Sequence, residues 1–374
     1  MREDIQMRNA VDVITTYTGE GPLQMHIKNY CRENKNIGSK DRKILSELVY
    51  GFFRIKGNKI IEDITPFIVA AAENSELLTD FTMHWKNKVE TIAIYQESEK
   101  QDYFPLFSKV SKSIETKSFM QYLQQKPKIF IRCNVETLQL VMEELMLLGY
   151  EFTIKENIIV FEKNYPLDTL NSFEDGLFEI QDIASQHVAE LFQPKKNEAW
   201  WDCCAGSGGK SLMLLEKMQQ IQLFVSDSRA SIIQNLKDRF ERHDHTNYTS
   251  YILDLEKVTE KDLIKIPQFN AIIADVPCSG SGTWGRTPEW LSFFTEDKLN
   301  EYILKQRNII STITDKLLPG GKIIYITCSV YADENEKNVS WFTENLPLKL
   351  EQQKYFQFSR EGGDTLFGAV LIKV

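Results

Sequence analysis

What this sequence lacks narrows it before any motif is read. No apolar run approaches the ~18 residues of a membrane span, and the longest, ITPFIVAAA, is about half that length. The opening MREDIQMRNA is charged throughout and has no apolar core of a secretion signal, which predicts a cytoplasmic chain. The six cysteines (31, 133, 203, 204, 278, 328) follow no regular spacing. A disulfide framework is therefore not expected, and reduced thiols are. The five histidines show no metal-ligand spacing, and His243 and His245 flank an aspartate on what reads as an exposed turn. No metal is expected. A cationic excess is missing too: the net charge is −9, which excludes a uniformly basic nucleic-acid binder.

The charge that is present is unevenly spread. Residues 1–60 hold 11 Lys and Arg against 7 Asp and Glu, a local net of +4 on an acidic chain. Residues 109–132 hold six basic side chains and the single acid Glu115. Such stripes suit phosphate contacts on an otherwise acidic body. They also suit a solvated helix face, and composition does not separate the two.

With 374 residues the chain has room for two or three domains. The first ~120 residues read as helical: AVDVITTYTG, PLQMHIKNYCREN and KDRKILSELVYGFFRIKG repeat their apolar residues every three or four positions. The style then changes. KPKIFIRCN reads as a strand, VETLQLVMEELMLLGY as a helix, and YEFTIKENIIVF as two strands about a Glu-Asn turn. From about residue 175 strands and helices alternate, as in an α/β, doubly wound Rossmann-like parallel sheet. The strands are EAWWDCCA, LFVSD, YTSYILD, FNAIIADVP and GGKIIYITC, the last after a helix ending at LLPGG, with FGAVLIKV closing the chain. The expected division is a helical domain over 1–122, a small α+β module over 123–174 and a Rossmann-like domain over 175–374.

The stretch WWDCCAGSGGKS, residues 200–211, comes close to a phosphate-binding loop. Gly209, Lys210 and Ser211 supply its second half, but Cys204 stands where the first glycine is required. Glycines at 206, 208 and 209 let a ligand approach the backbone, and the following helix offers free N–H groups to an anion. Acids then close three successive strands: Asp227, Asp254 and Asp275. Three acids would repel a triphosphate. They suit a ligand carrying a ribose, an adenine amine and a cationic amino group, which S-adenosyl-L-methionine is. A nucleotide triphosphate and a degenerate dinucleotide site are the alternatives. Cys203 and Cys204 are expected to pack under the glycine loop, and Trp200 and Trp201 to wall a core.

Two further cysteines each follow a strand immediately: Cys278 in DVPCSGSGTWGR and Cys328 in ITCSV. Both should emerge at the rim where the cofactor sits. A lone cysteine there is usually a small buried apolar residue. A pair at the ligand-bearing edge fits nucleophilic chemistry, because a thiolate readily attacks an electron-poor ring carbon.

The residues DCCAGSGGK, DVPCSGSGTW, LLPGGKIIYITCSV and DENE resemble the RNA cytosine-5 methyltransferases of the Sun/Fmu type. The N-terminal stretch ending KDRKILSELVYGFFRIKG resembles the NusB-like RNA-binding domain of the small-subunit ribosomal RNA methyltransferase B branch. FEIQDIASQHVAELF is similar to the segment leading into that family's methyltransferase sheet. The resemblance implies methylation of carbon 5 of a cytosine in RNA, 16S ribosomal RNA first and transfer RNA second. It implies Cys328 as the nucleophile at carbon 6, Cys278 as the thiol assisting release, and Asp275 at the cytosine edge. It assigns the cofactor to the loop Cys204, Ala205, Gly206, Ser207, Gly208, Gly209 and Lys210, with Asp227, Asp254 and Asp275. Where the family carries Ala-Pro before the double glycine, this chain has Gly206-Ser207, so a less rigid loop is expected. A monomer without a membrane partner is expected. The rival from another class is a non-catalytic RNA-binding assembly factor that has kept a methyltransferase shell.

Overall fold

Successive side chains of a strand point to opposite faces of its sheet, and Trp200 and Trp201 show the consequence. Trp200 packs with Val225, Ile273 and Ile324 under Leu212, Leu236 and Phe240. Trp201 packs with Ile272, Ile323 and Tyr325 under Ile309, Ile310 and Ile313. Both faces of this sheet are covered by helices, which is why its inner strands read as nearly unbroken apolar runs.

The computed structural model describes residues 2–73, 75–89 and 100–374. These form two units, one of the described residues up to 110 with 116–126 and 283–298, the other of residues 111–115, 127–282 and 299–374.

The second unit contains two sheets. The smaller has the strands β1 (Ile129–Cys133), β2 (Thr153–Lys155), β3 (Ile158–Phe161) and β4 (Phe178–Ile180), ordered β2-β3-β1-β4. The β2–β3 turn is the expected Glu-Asn turn, with Glu156 at φ 57°, and the helix Leu138–Leu147 packs Val141 and Leu145 into the module's core. The larger sheet has β5 (Ala199–Asp202), β6 (Gln222–Asp227), β7 (Tyr248–Ile252), β8 (Phe269–Asp275), β9 (Leu317–Thr327), β10 (Leu348–Gln357) and β11 (Thr365–Lys373). Its order is β10-β11-β9-β8-β5-β6-β7. β5 to β9 pair in parallel, and β11 and β10 continue the sheet antiparallel. This is the doubly wound, Rossmann-like architecture expected from the alternation of elements.

Two details differ from the sequence reading. Leu-Leu-Pro-Gly-Gly does not end a helix: the helix Glu296–Thr314 stops earlier, and Leu317 already begins β9. The β8–β9 register shifts between Phe269 and Ala271, which absorbs the Pro-Gly irregularity. β10 was not expected at all. Its sequence LKLEQQKYFQ is largely polar and mostly exposed, as an edge strand tolerates.

The first unit is helical, with Arg2–Thr16, Leu23–Glu33, Ser39–Lys56, Thr65–Ala72, Thr79–Trp85 and Thr116–Leu123. Ala10, Val13, Leu48, Val49, Phe52, Phe53 and Ile68 form its core. The segment 283–298 joins this unit although it lies far along the chain: Phe293 meets Tyr17 edge-on at 5.3 Å between ring centroids. The half-buried Arg54 donates from Nη2 to the Gly285 carbonyl at 2.9 Å.

Candidate active site

At the carboxyl ends of β5, β6 and β8 a cavity of about 430 Å³ opens within the second unit. It lies where the strand order turns back on itself, the place such sheets bind ligands. Its lining includes Cys204, Gly206, Asp227, Asp254, Asp275, Cys278 and Cys328. Seven of the residues singled out from the sequence therefore meet around one space.

The loop from β5 to the helix Gly209–Lys217 is shaped by glycine. Gly206 and Gly208 have φ of 53° and 87°, the left-handed region. A Cβ on Gly208 would come within 2.8 Å of Phe240 and 2.9 Å of Leu236, so the loop can lie flat on the next helix only with glycine there. Ala205 is buried, and its N–H donates to the Ser226 carbonyl at 2.9 Å. Ser207 points the other way. Its carbonyl and hydroxyl both accept from Arg239 Nη1, at 3.0 and 2.9 Å. The rigidity that Pro would give is thus supplied by a cation from the helix Ala230–Arg242. Arg239 is itself held by Glu179 on β4, Nε–Oε2 3.2 Å. Glu179 is buried and also accepts from Arg242 and His243, at 3.0 and 2.7 Å. Burial works to raise its carboxyl pKa, but the His243 hydrogen bond and the guanidinium groups of Arg239 and Arg242 hold it below the ordinary value. His243 is accordingly packed into this cluster, not on the exposed turn that its sequence neighbourhood implied.

The acids divide the remaining work. Asp227 accepts from the Gly206 N–H at 3.2 Å and carries Arg229 on both oxygens. Asp254 lies two residues past β7 at the cavity wall, with Lys257 at 3.3 Å. Asp275 Oδ2 accepts from Lys210 Nζ at 2.5 Å. Burial opposes the lysine's charge, yet the Asp275 contact raises its pKa above the usual value, so Lys210 stays an ammonium. Lys210 reaches the site through Asp275 and does not itself line the cavity. Beneath them Asp202 is fully buried and accepts from Ser211 Oγ at 2.6 Å.

The two strand-end cysteines are in contact. Cys278 Sγ lies 3.3 Å from Cys328 Sγ, and the Cys328 N–H also points at the Cys278 sulfur, at 3.3 Å. The hydrogen bond to Cys328 comes first, and burial second, in raising the Cys278 thiol well above its ordinary pKa. Cys278 therefore keeps its proton at neutral pH. Cys31 and Cys133 are buried and take no part in the site, whereas the buried Cys203 and the half-buried Cys204 both line the cavity wall.

Residues 189–363 match the family model described as 16S rRNA methyltransferase RsmB/F. Over this segment, 175 of its 374 residues, the chain is similar to the RsmB/F family. Among its curated relatives, the ribosomal RNA small subunit methyltransferase B of Pasteurella multocida is 27% identical over 275 residues, 67% of this chain and 60% of the relative. That of Vibrio cholerae is 26% identical over 209 residues, 56% of this chain and 48% of the relative. The chain spans about half the length of the curated relatives it matches. Among solved structures, PH0851 is similar over 98% of both chains, with a TM-score of 0.74 and 23% identity. NSun6 from Pyrococcus horikoshii with SFG is similar over 70% of this chain and 94% of that one, with a TM-score of 0.61 and 17% identity. At these identities the likeness is one of fold.

Arg229 and Arg239 have no counterpart in the sequence reading of this site. Each looks like an ordinary surface cation of the helix after β6, and only the folded loop shows what each holds. The basic stripe over 109–132 is also clearer in three dimensions. Lys109, Lys126, Lys128 and Arg132 form ion pairs with Glu296, Glu47, Glu162 and Glu216. Much of the stripe thus balances the chain's own acids.

Proposed function

We propose that this chain methylates carbon 5 of a cytosine in RNA, using S-adenosyl-L-methionine, through a transient bond from Cys328 to carbon 6. The substrate favoured is small-subunit ribosomal RNA, acted on in the cytoplasm by a monomer. The single observation that carries the reading is the 3.3 Å contact of Cys278 and Cys328 at the edge of a cavity walled by Asp227, Asp254 and Asp275.

The residues fit the cofactor. A cavity of about 430 Å³ has a left-handed glycine loop at one wall and carboxylates at three strand ends. Asp227 is placed for ribose hydroxyls, and Asp254 for the far wall. Asp275 can meet both the amino group and the cytosine edge. When bound, S-adenosyl-L-methionine supplies an electrophilic methyl group directed at carbon 5.

The chain's own part is to make carbon 5 nucleophilic. The Cys328 sulfur adds to carbon 6 and turns the ring into an enamine. Asp275, held by Lys210, hydrogen-bonds the cytosine edge and stabilises the adduct. Carbon 5 would take the methyl with S-adenosyl-L-homocysteine as the leaving group; loss of its proton to a base then re-forms the 5,6 double bond, expels the Cys328 thiolate and restores aromaticity. Cys278 assists that release. To reach a half-buried thiol the base must leave its stack, at a cost of a few kcal/mol that a loop or bulge lowers.

Bisulfite sequencing of total RNA from cells with and without the gene tests the reading. Loss of one methylated cytosine in 16S ribosomal RNA is expected. Loss in a transfer RNA would move the substrate, and an unchanged map together with no binding of the cofactor would favour the assembly-factor reading.

A further inference from the structure

We propose that Glu334 is the positioning residue that sets the distance between the two site cysteines. The inference rests on the cysteine-pair reading above and adds to it how the pair is held.

Glu334 is fully buried, and it is adjacent to neither cysteine in the chain. Its carboxyl nevertheless receives the residue just after each of them. Ser279, next to Cys278, donates its N–H to Oε1 at 2.8 Å and its hydroxyl to Oε2 at 2.5 Å. Ser329, next to Cys328, donates its hydroxyl to the same Oε2 at 2.5 Å. Gln306 Nε2 completes the set at 2.9 Å on Oε1 and also donates to the carbonyl of Pro277, just before Cys278, at 3.0 Å. One carboxyl thus ties together the loop after β8 and the loop after β9, on either side of the sulfur contact.

The residue type matters for this. Burying a carboxyl is costly unless its lone pairs are filled. Four donors fill them here, and an apolar side chain could join neither loop. The surroundings reinforce the geometry. Tyr325 donates its hydroxyl to the Glu334 carbonyl at 2.6 Å, and Asn335 donates to the Ser329 carbonyl at 2.8 Å. The Gly282 N–H donates to the Cys328 carbonyl at 2.9 Å, a second strut between the loops.

The test uses the sulfurs as their own ruler and needs neither RNA nor cofactor. The full chain is treated with diamide, which takes one hydrogen from each thiol and becomes the hydrazine as the disulfide forms. The Cys278–Cys328 link is followed by peptide mapping, separately from any Cys203–Cys204 product. The wild-type pair is expected to link readily, and Glu334→Ala to link at least about tenfold more slowly, as effective concentration falls with lost positioning. Glu334→Gln, whose amide can donate to the two hydroxyls once they turn, is expected within about threefold of the parent. A Glu334→Ala chain that keeps its circular dichroism and links at the parental rate overturns the proposal, as does a wild-type pair that never links. Should Glu334→Ala not fold, Ser279→Ala/Ser329→Ala removes both hydroxyl struts. A slowed link there supports the assignment, and a parental rate overturns it. Because methyl transfer is not measured, a wrong substrate leaves this outcome readable.

Discussion

Arg229 turns back two residues along the chain to grip Asp227, with Nε on Oδ1 at 2.9 Å and Nη2 on Oδ2 at 3.1 Å. The same carboxylate is the one proposed above to meet the ribose hydroxyls, and on that proposal the fork and the cofactor compete for its oxygens. The Arg229 side chain is 63% exposed, and an exposed pair of this kind is worth about 1 kcal/mol at most. Replacing Arg229 with Ala should therefore tighten cofactor binding about two- to fivefold, measured by titration calorimetry. Weaker binding in the variant would show that the guanidinium contacts the ligand instead of vacating the site.

Arg239 bears on the same loop from the opposite side. Its two bonds to Ser207 hold the segment that a proline would otherwise stiffen, and Glu179 holds Arg239 in turn. Arg239→Ala should weaken cofactor binding by about five- to twentyfold, in keeping with the loss of roughly 1–2 kcal/mol of charged hydrogen bonding. Folding should survive, since Glu179 keeps Arg242 and His243. Arg239→Lys should rescue little, because one ammonium cannot reproduce the guanidinium fork. Equal affinities in all three chains would remove the clamp.

The parts of this protein legible in its sequence are those decided locally. Parallel strands buried on both faces announce themselves as apolar runs, and β5, β6, β8 and β9 were found that way. Asp227, Asp275, Cys278 and Cys328 were legible because each stands at the end of such a strand, where the topology itself brings residues together. β10 was hidden because an edge strand need not be apolar. The segment 283–298 gave no sign of joining the helical unit, since Phe293 and Gly285 find their partners more than 200 residues away. Arg239 escaped for the same reason, its partner Ser207 lying 32 residues off, and Glu334 stood out only as part of DENE, with its hold on Ser279, 55 residues off, hidden. A charged side chain carries no local mark of what it will hold.

The two cysteines should fail differently. Cys328→Ala should abolish methyl transfer while cofactor affinity stays within about twofold, because the sulfur that bonds carbon 6 is lost and the acids remain. Cys278→Ala should still form the adduct but resolve it slowly. A protein–RNA band stable to denaturant should then accumulate on a gel, and it should vanish in the Cys278→Ala/Cys328→Ala double variant. Undiminished turnover in Cys328→Ala, or a Cys278→Ala chain that turns over without any stable band, would reverse the assigned roles.

Asp202 makes the fold itself sensitive to pH. Burial first, and the neighbouring Asp275 further, push its carboxyl up from 3.8 to about 7, against the pull of Ser211 and Lys210. The folded chain therefore holds a proton that the unfolded chain releases near pH 4. Wherever the folded state binds more protons, stability falls as pH rises. The Asp202 contribution is fully present below pH 4 and is lost progressively up to about pH 7. Over that window it should amount to roughly 3–4 kcal/mol as an upper bound. Asp202→Asn keeps an oxygen for the Ser211 hydroxyl and removes the titration. Urea denaturation of both chains between pH 4 and pH 8 should show wild type losing stability relative to the variant as pH rises, with the difference levelling off above pH 7. Parallel curves would mean that Asp202 is ionised in the folded protein throughout, with Lys210 shared between two carboxylates.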